Sequence, residues 1–245
     1  MVLRVDLAVL PAEALNIAAG CFVVVDVLRA TTTIAALFGA GLQSLCVSAE
    51  IEEARTTART QGRLLFGEVH GLRPEGFDYG NSPVEADAAP VSGRDGVLFT
   101  TNGTRALTAL AGRGRVLAGA LVNARAVAEE ISGEAHVAVV CAGSEGGGRF
   151  AVDDFAAAAV IVRRIAAQQP DARLGDAART ASELAAGPGW AARAIRSSDH
   201  SRLLQRLGLG ADVDFACGED TSAAVAELSH TSGSTVLVRA APARP

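Results

Sequence analysis

Short apolar runs alternate with segments of helical character along most of this chain, and that alternation limits its fold more than any other feature. Phe22 to Val27, Ser44 to Ser48, Arg63 to Phe66, Gly96 to Thr100, Arg115 to Ala118 and His136 to Cys141 read as strands. Helices are expected over Thr31 to Gly39, Ile51 to Gln61, Thr104 to Ala111, from an Asn123 N-cap to Ser132, and over Val152 to Gln168. Strands without a polar face are covered on both sides, which requires helices above and below a sheet of mostly parallel strands. The expected fold class is α/β: a three-layer α/β/α arrangement with a largely parallel or mixed central sheet and a helical C-terminal portion. That portion is expected as an appendage over about 171–210, on a single domain spanning 1–245. It comprises helices near Ala172 to Ala186 and from a Ser198 cap through Leu207, before a last strand from Thr235 to Arg239.

Composition removes several function classes. The net charge is −5, and the arginines are scattered, so nucleic acid is not an expected partner. All 22 basic residues are arginine, which excludes Schiff-base lysine chemistry and a phosphate loop ending in Gly-Lys-Ser/Thr. No apolar run approaches the roughly 18 residues of a membrane span, and the start of the chain alternates like a strand rather than a signal peptide. No membrane association and a cytoplasmic location are therefore expected. The four cysteines are far apart and read as small buried hydrophobes. Homodimerisation is an expectation that no particular residue carries.

In open α/β sheets ligands bind beyond the carboxyl ends of strands. Three expected strand ends carry polar turns: Asp26 to Thr33, Thr100 to Arg105, and Cys141 to Gly148. Free N–H groups at helix starts favour anions, and Arg29 and Arg105 add forked clamps for phosphate, carboxylate or sulfonate. Thr31, Thr32, Thr101, Asn102, Gly103, Thr104 and Gly143 are the candidate contacts, although Ser, Thr and Asn also cap helices with no ligand present. A connection of nearly thirty residues, Gly67 to Gly96, adds Glu68, His70, Asp78, Asn81 and Ser82. Loops of that length inside a domain are usually functional. His136 reads as a packed strand residue, while His70 is either a substrate contact or an ordinary loop residue.

Asp26 ends an apolar strand, where a carboxylate is costly unless paired or bound to a metal. With Glu68, Asp78 and Asp154 it forms a candidate oxygen ligand set for Mg²⁺, whereas Asp153 reads as a partner of its helix dipole. An apolar strand ending in Asp26 before a Thr-rich turn also suggests the haloacid-dehalogenase phosphatases. Their second Asp, two residues on, is Leu28 here, and their later lysine is absent.

Taken together, the segments resemble the 2-phosphosulfolactate phosphatases of coenzyme M biosynthesis and their bacterial relatives. The matching stretches are Val25 to Ile34, Gly67-Glu68, Gly76 to Pro83, Thr100 to Leu107, Cys141 to Gly143 and Asp153-Asp154. A weaker match runs from Ser198-Asp199-His200 to Val213. The acidic pair departs from the family's usual Glu-Asp, and Glu227 to His230 lacks an expected proline.

The resemblance implies a Mg²⁺-dependent phosphatase acting on the phosphomonoester of a 2-hydroxy acid. The expected reaction takes 2-phospho-3-sulfolactate to 3-sulfolactate and phosphate; phospholactate or another small anionic phosphorylated hydroxy acid is also open. Asp26, Asp78, Arg29 and Arg105 are the catalytic candidates on this reading, with direct attack by Asp26 and attack by water both open. Two rivals remain, a non-catalytic anion-binding protein and a metal-dependent nucleotide hydrolase. The acids weigh against the first, and the scarcity of aromatic residues weighs against the second.

Overall fold

The computed structural model describes residues 2–229 and the backbone of 236–240. Its strands are β1 (Arg4–Ala8), β2 (Cys21–Val25), β3 (Ser44–Ser48), β4 (Leu64–Gly67), β5 (Asp95–Phe99), β6 (Arg115–Gly119), β7 (His136–Cys141), β8 (Arg173–Leu174), β9 (Ala226–Ser229) and β10 (Val236–Ala240). Its helices are α1 (Pro11–Ala14), α2 (Ala30–Gly39), α3 (Ile51–Gln61), α4 (Pro83–Ala88), α5 (Gly103–Ala109), α6 (Ala124–Glu130), α7 (Val152–Gln168), α8 (Asp176–Leu184), α9 (Trp190–Ser197), α10 (Asp199–Arg206) and α11 (Gly210–Ala216).

Ten strands form one mixed sheet in the order β4-β5-β3-β10-β9-β6-β2-β7-β1-β8. The block β6-β2-β7-β1-β8 is parallel throughout, as is the trio β4-β5-β3. Between them β9 and β10 pair antiparallel with each other and with both flanking strands. Three successive reversals make the trio run opposite to the five-strand block.

The two faces of β2 show why the layers form. Cys21, Val23 and Val25 join a core shared with α6 to α9, while Phe22 and Val24 join the core beneath α2 and α5 on the other face. Every one of these side chains is buried, and burying each valine and phenylalanine contributes roughly 1.5–3 kcal/mol. Alanines at 156–159 keep α7 thin where it meets the sheet. Gly119 in β6 permits that approach, because a Cβ there would sit 2.6 Å from Val23 and 2.9 Å from Ile161.

The α/β/α layering and the principal strands match expectation. The helix expected from Ala172 instead begins at Asp176, because Arg173 and Gly175 donate to Leu3 and Val5 along the edge of β1. The strand β9 and the helices α9 and α11 were not expected, being too short for periodicity to register. The long connection also contains a helix, α4, whose N-cap is Ser82. Asn123 flanks α6, but its side chain accepts from Ala120 N–H and donates to the Ala118 and Ala224 carbonyls. Cys21, Cys46 and Cys141 are buried as expected, Cys217 only partly. Among the described residues no helix is long and apolar enough to cross a membrane. His230 and Thr235 lie outside the described residues.

Candidate active site

The turns after β2, β4, β5 and β7 meet, although β4 and β5 belong to the block of opposite direction. Three contacts tie them. Glu68 Oε1 accepts from both the N–H and the hydroxyl of Thr101, each at 2.8 Å. Asn102 Oδ1 accepts from Gly146 N–H at 2.9 Å. Gly103 packs against Asp26 so closely that a Cβ would lie 2.5 Å from Asp26 Oδ2 and 2.5 Å from Ala30. No Cβ fits there, so only glycine allows this approach of α5 to β2.

Beyond these turns lies a cleft of about 820 Å³. Glu68, Asp153, His70, Thr101, His200, Arg149 and Arg206 are among the residues that line it. Asp26 lies buried and feels the charges of Glu68 and Asp153. Burial above all pushes its carboxyl up to about 7, the two acids add to this, and the Ala30 N–H at 3.3 Å opposes it.

The adjacent acids at the start of α7 have different tasks. Asp154 is buried and holds two turns together, Oδ1 accepting from Val27 N–H and Oδ2 from Gly143 N–H, both at 2.9 Å. Burial, then the charges of Asp153 and Asp26, raise it well above the usual carboxylate range despite those donors. Asp153, also buried, faces the cleft, and its Oδ2 has no hydrogen-bond partner among the described residues. Burial raises its carboxyl to about 6, against the backbone N–H groups of residues 153 and 154. The Asp153 Oδ2 lies 3.7 Å from His200 Nδ1, and burial, then the Arg29 charge, holds that imidazole below its ordinary range. Residues one apart on a helix point about 100° apart, so one acid faces the turns and its neighbour the open cleft.

Arg29 lies 3% exposed with its fork already occupied. It donates to Asp212 Oδ2 and to the Gly71 carbonyl, each at 2.6 Å. Ser82 donates to the other oxygen of Asp212 at 2.6 Å, and Gly71 N–H donates to Glu68 Oε2 at 2.8 Å. Arg29 therefore ties α11 to the loop that carries Glu68. The hydroxyls of Thr31, Thr32 and Thr104 bond the carbonyls of Asp26, Val27 and Thr100, closing their own turns. Asn81 is buried with an unpartnered Oδ1.

Of the expected catalytic, substrate and metal residues, Glu68, Thr101 and Asn102 line the cleft, and two of the catalytic candidates outside it have partners elsewhere. Arg105 is 53% exposed and reaches Glu50 at 3.8 Å. Asp78 accepts from Leu65 N–H at 2.8 Å and lines a separate groove of about 440 Å³ beside Arg55, Arg59 and Arg63. Conversely, Arg149 and Arg206 line the cleft without having been singled out, as does His200, which entered only within the weaker matching stretch. The Ser198 cap was the available signal, since it places His200 in the first turn of α10.

Among the described residues no three His, Cys, Asp or Glu side chains converge as a ready-made metal cage. The donor chemistry nevertheless suits a hard cation that takes few carboxylates and several waters. Asp26, Glu68, Asp153 and Asp154 are oxygen donors, Asp153 has an orphaned buried oxygen, and the carboxyls of Asp26, Asp153 and Asp154 are raised.

Comparison with known proteins adds an independent observation. A model of the 2-phosphosulpholactate phosphatase family matches residues 9–231. A Deinococcus radiodurans protein named "Probable 2-phosphosulfolactate phosphatase" is 43% identical over 209 residues, which cover 84% of this chain and 86% of the relative. A Thermus thermophilus protein of the same name is 38% identical over 248 residues, covering 98% and 100%. A third, from Thermotoga petrophila, is 36% identical over 199 residues, covering 81% and 84%.

Proposed function

Because this chain belongs to the 2-phosphosulpholactate phosphatase family, we propose that it is a Mg²⁺-dependent phosphatase converting 2-phospho-3-sulfolactate to 3-sulfolactate and phosphate. The observation that supports this best is the group of buried acids around Asp26 and Asp153, next to a cleft that holds guanidinium groups. Uncompensated acids repel an anionic phosphomonoester, and a bound cation reverses that repulsion.

Mg²⁺ would be held by Asp26 and Asp153, with Glu68 and Asp154 fixing the surrounding turns, and would neutralise charge on the phosphoryl oxygens. The chain's own groups do the rest. Burial raises the Asp26 carboxyl to about 7 in the absence of a cation, and a bound cation would hold it in the ionised form that a ligand needs. Asp153 and His200 face the same space and orient water or the leaving hydroxyl. Arg29 acts through Gly71 and Glu68 as a positioning group, which leaves recognition of the substrate's acids to arginines that line the cleft.

The test is phosphate release from phosphosulfolactate, phospholactate, 3-phosphoglycerate and AMP, with Mg²⁺ and with EDTA. Metal-dependent release confined to the 2-phospho acids is expected, fastest from phosphosulfolactate. Release from AMP alone would contradict the proposal in favour of a nucleotide hydrolase.

A further inference from the structure

On the phosphatase reading, the substrate carries two acid groups besides the phosphate, and something in the cleft has to receive them. Arg29 and Arg105 do not line it. Arg29 is spent on Asp212 and Gly71, and Arg105 reaches Glu50 away from the cleft. The guanidinium groups that line the cleft belong to Arg149 and Arg206. Arg149 is pinned by Glu145 at 3.1 Å, with Asp199 at 4.0 Å. Arg206 has no hydrogen bond or ion pair among the described residues, so all of its donors are free for a ligand.

Helix α10 sets where Arg206 stands. Asp199, Leu203 and Arg206 are spaced i, i+4, i+7 and form one stripe facing the cleft. His200, whose ring approaches Asp153, lies six residues earlier, about 9 Å along the axis at about 1.5 Å per residue. The cleft is therefore polarised, with acids where phosphate and metal would meet and a free forked donor displaced along one wall. A fork suits a planar carboxylate or a sulfonate, and a guanidinium is weakly hydrated, so little is lost on binding.

We infer that Arg206, assisted by Arg149, receives the acid group remote from the phosphate and thereby sets the preference for sulfonated over unsulfonated 2-phospho acids. This rests on the phosphatase reading and adds to it a residue that determines specificity. The competing role for Arg206 is purely structural. It lies in the last turn of α10, where a cation complements the helix dipole. That role would alter stability and leave substrate preference alone.

The experiment compares KM and kcat for phosphosulfolactate and phospholactate in the wild-type protein, R206Q, R206K and R149Q, each with Mg²⁺. A charge-assisted hydrogen bond is worth enough that R206Q is expected to raise KM for phosphosulfolactate at least about tenfold more than KM for phospholactate. The change in kcat is expected to be smaller, R206K to recover part of the loss, and R149Q to shift preference the same way less strongly. Equal changes for both substrates, or no change, would overturn the inference. If the wild-type protein releases phosphate from neither ester, the phosphatase reading fails by itself. Calorimetric titration of 3-sulfolactate into wild-type and R206Q proteins then decides the clamp: weaker binding to R206Q supports it and equal binding overturns it.

Discussion

Asp212 and Asp153 are two aspartates of similar burial near one cleft, and their surroundings differ completely. Asp212 has one oxygen on Arg29 and the other on Ser82, so three chain segments meet in a closed network. Asp153 has an oxygen with no donor and a carboxyl raised to about 6 by burial. Burial alone therefore does not distinguish an acid that builds the fold from one available for chemistry; the partner does. A buried charge with its partner present is stable where it sits, and one without a partner is retained at a cost.

Three variants test that contrast, beginning with the largest effect. Asp212→Ala leaves the Arg29 guanidinium buried and unpaired, so a loss of about 3–5 kcal/mol is expected in urea unfolding. An unchanged midpoint would show that the network is not structural. Asp153→Asn has the opposite sign. The raised carboxyls of Asp153 and Asp26 mean that the folded state holds protons that the unfolded chain has released. The contribution of these two acids to the stability of the metal-free protein is then fully present below about pH 4 and is lost as pH rises through about 6 and 7. Removing the Asp153 charge is expected to gain about 1–3 kcal/mol at pH 8 in EDTA and to flatten this slope. Added Mg²⁺ is expected to restore stability to the wild-type protein more than to the variant, and a thermal unfolding series across pH checks both statements. The smallest effect belongs to Arg105→Ala. An exposed pair at 3.8 Å contributes within about 0.5 kcal/mol, and KM for phosphosulfolactate is expected to stay within about twofold. A large rise in KM would return Arg105 to the substrate.

Most of the layered fold was legible because it is local. Apolar strands such as Phe22 to Val25 and helix starts such as Asp153-Asp154 announce themselves within a few residues. The reversal between strand blocks was not legible, since it depends on β9 and β10, two short strands near the end of the chain. The polar turns and the acid Asp26 were legible as a site. The bond that occupies Arg29 was not, because its partner Asp212 lies 183 residues away and no spacing encodes it. The division of labour between Asp153 and Asp154 was missed because neighbouring acids look equivalent until the direction of α7 is known. Asp78 attracted a role through its loop, yet its carboxylate is tied to Leu65 N–H outside the cleft.

The most direct test of the account sets Asp26→Asn beside Asp78→Asn in Mg²⁺-dependent phosphate release from phosphosulfolactate, with folding of each checked by circular dichroism. Asp26→Asn removes the carboxyl raised to about 7 and is expected to lower kcat by about 10³-fold or more. Asp78→Asn keeps an oxygen to accept from Leu65 N–H and is expected to retain kcat within about threefold. The reverse pattern, with Asp26→Asn active and Asp78→Asn dead, would contradict the account and move the reaction to the groove beside α3.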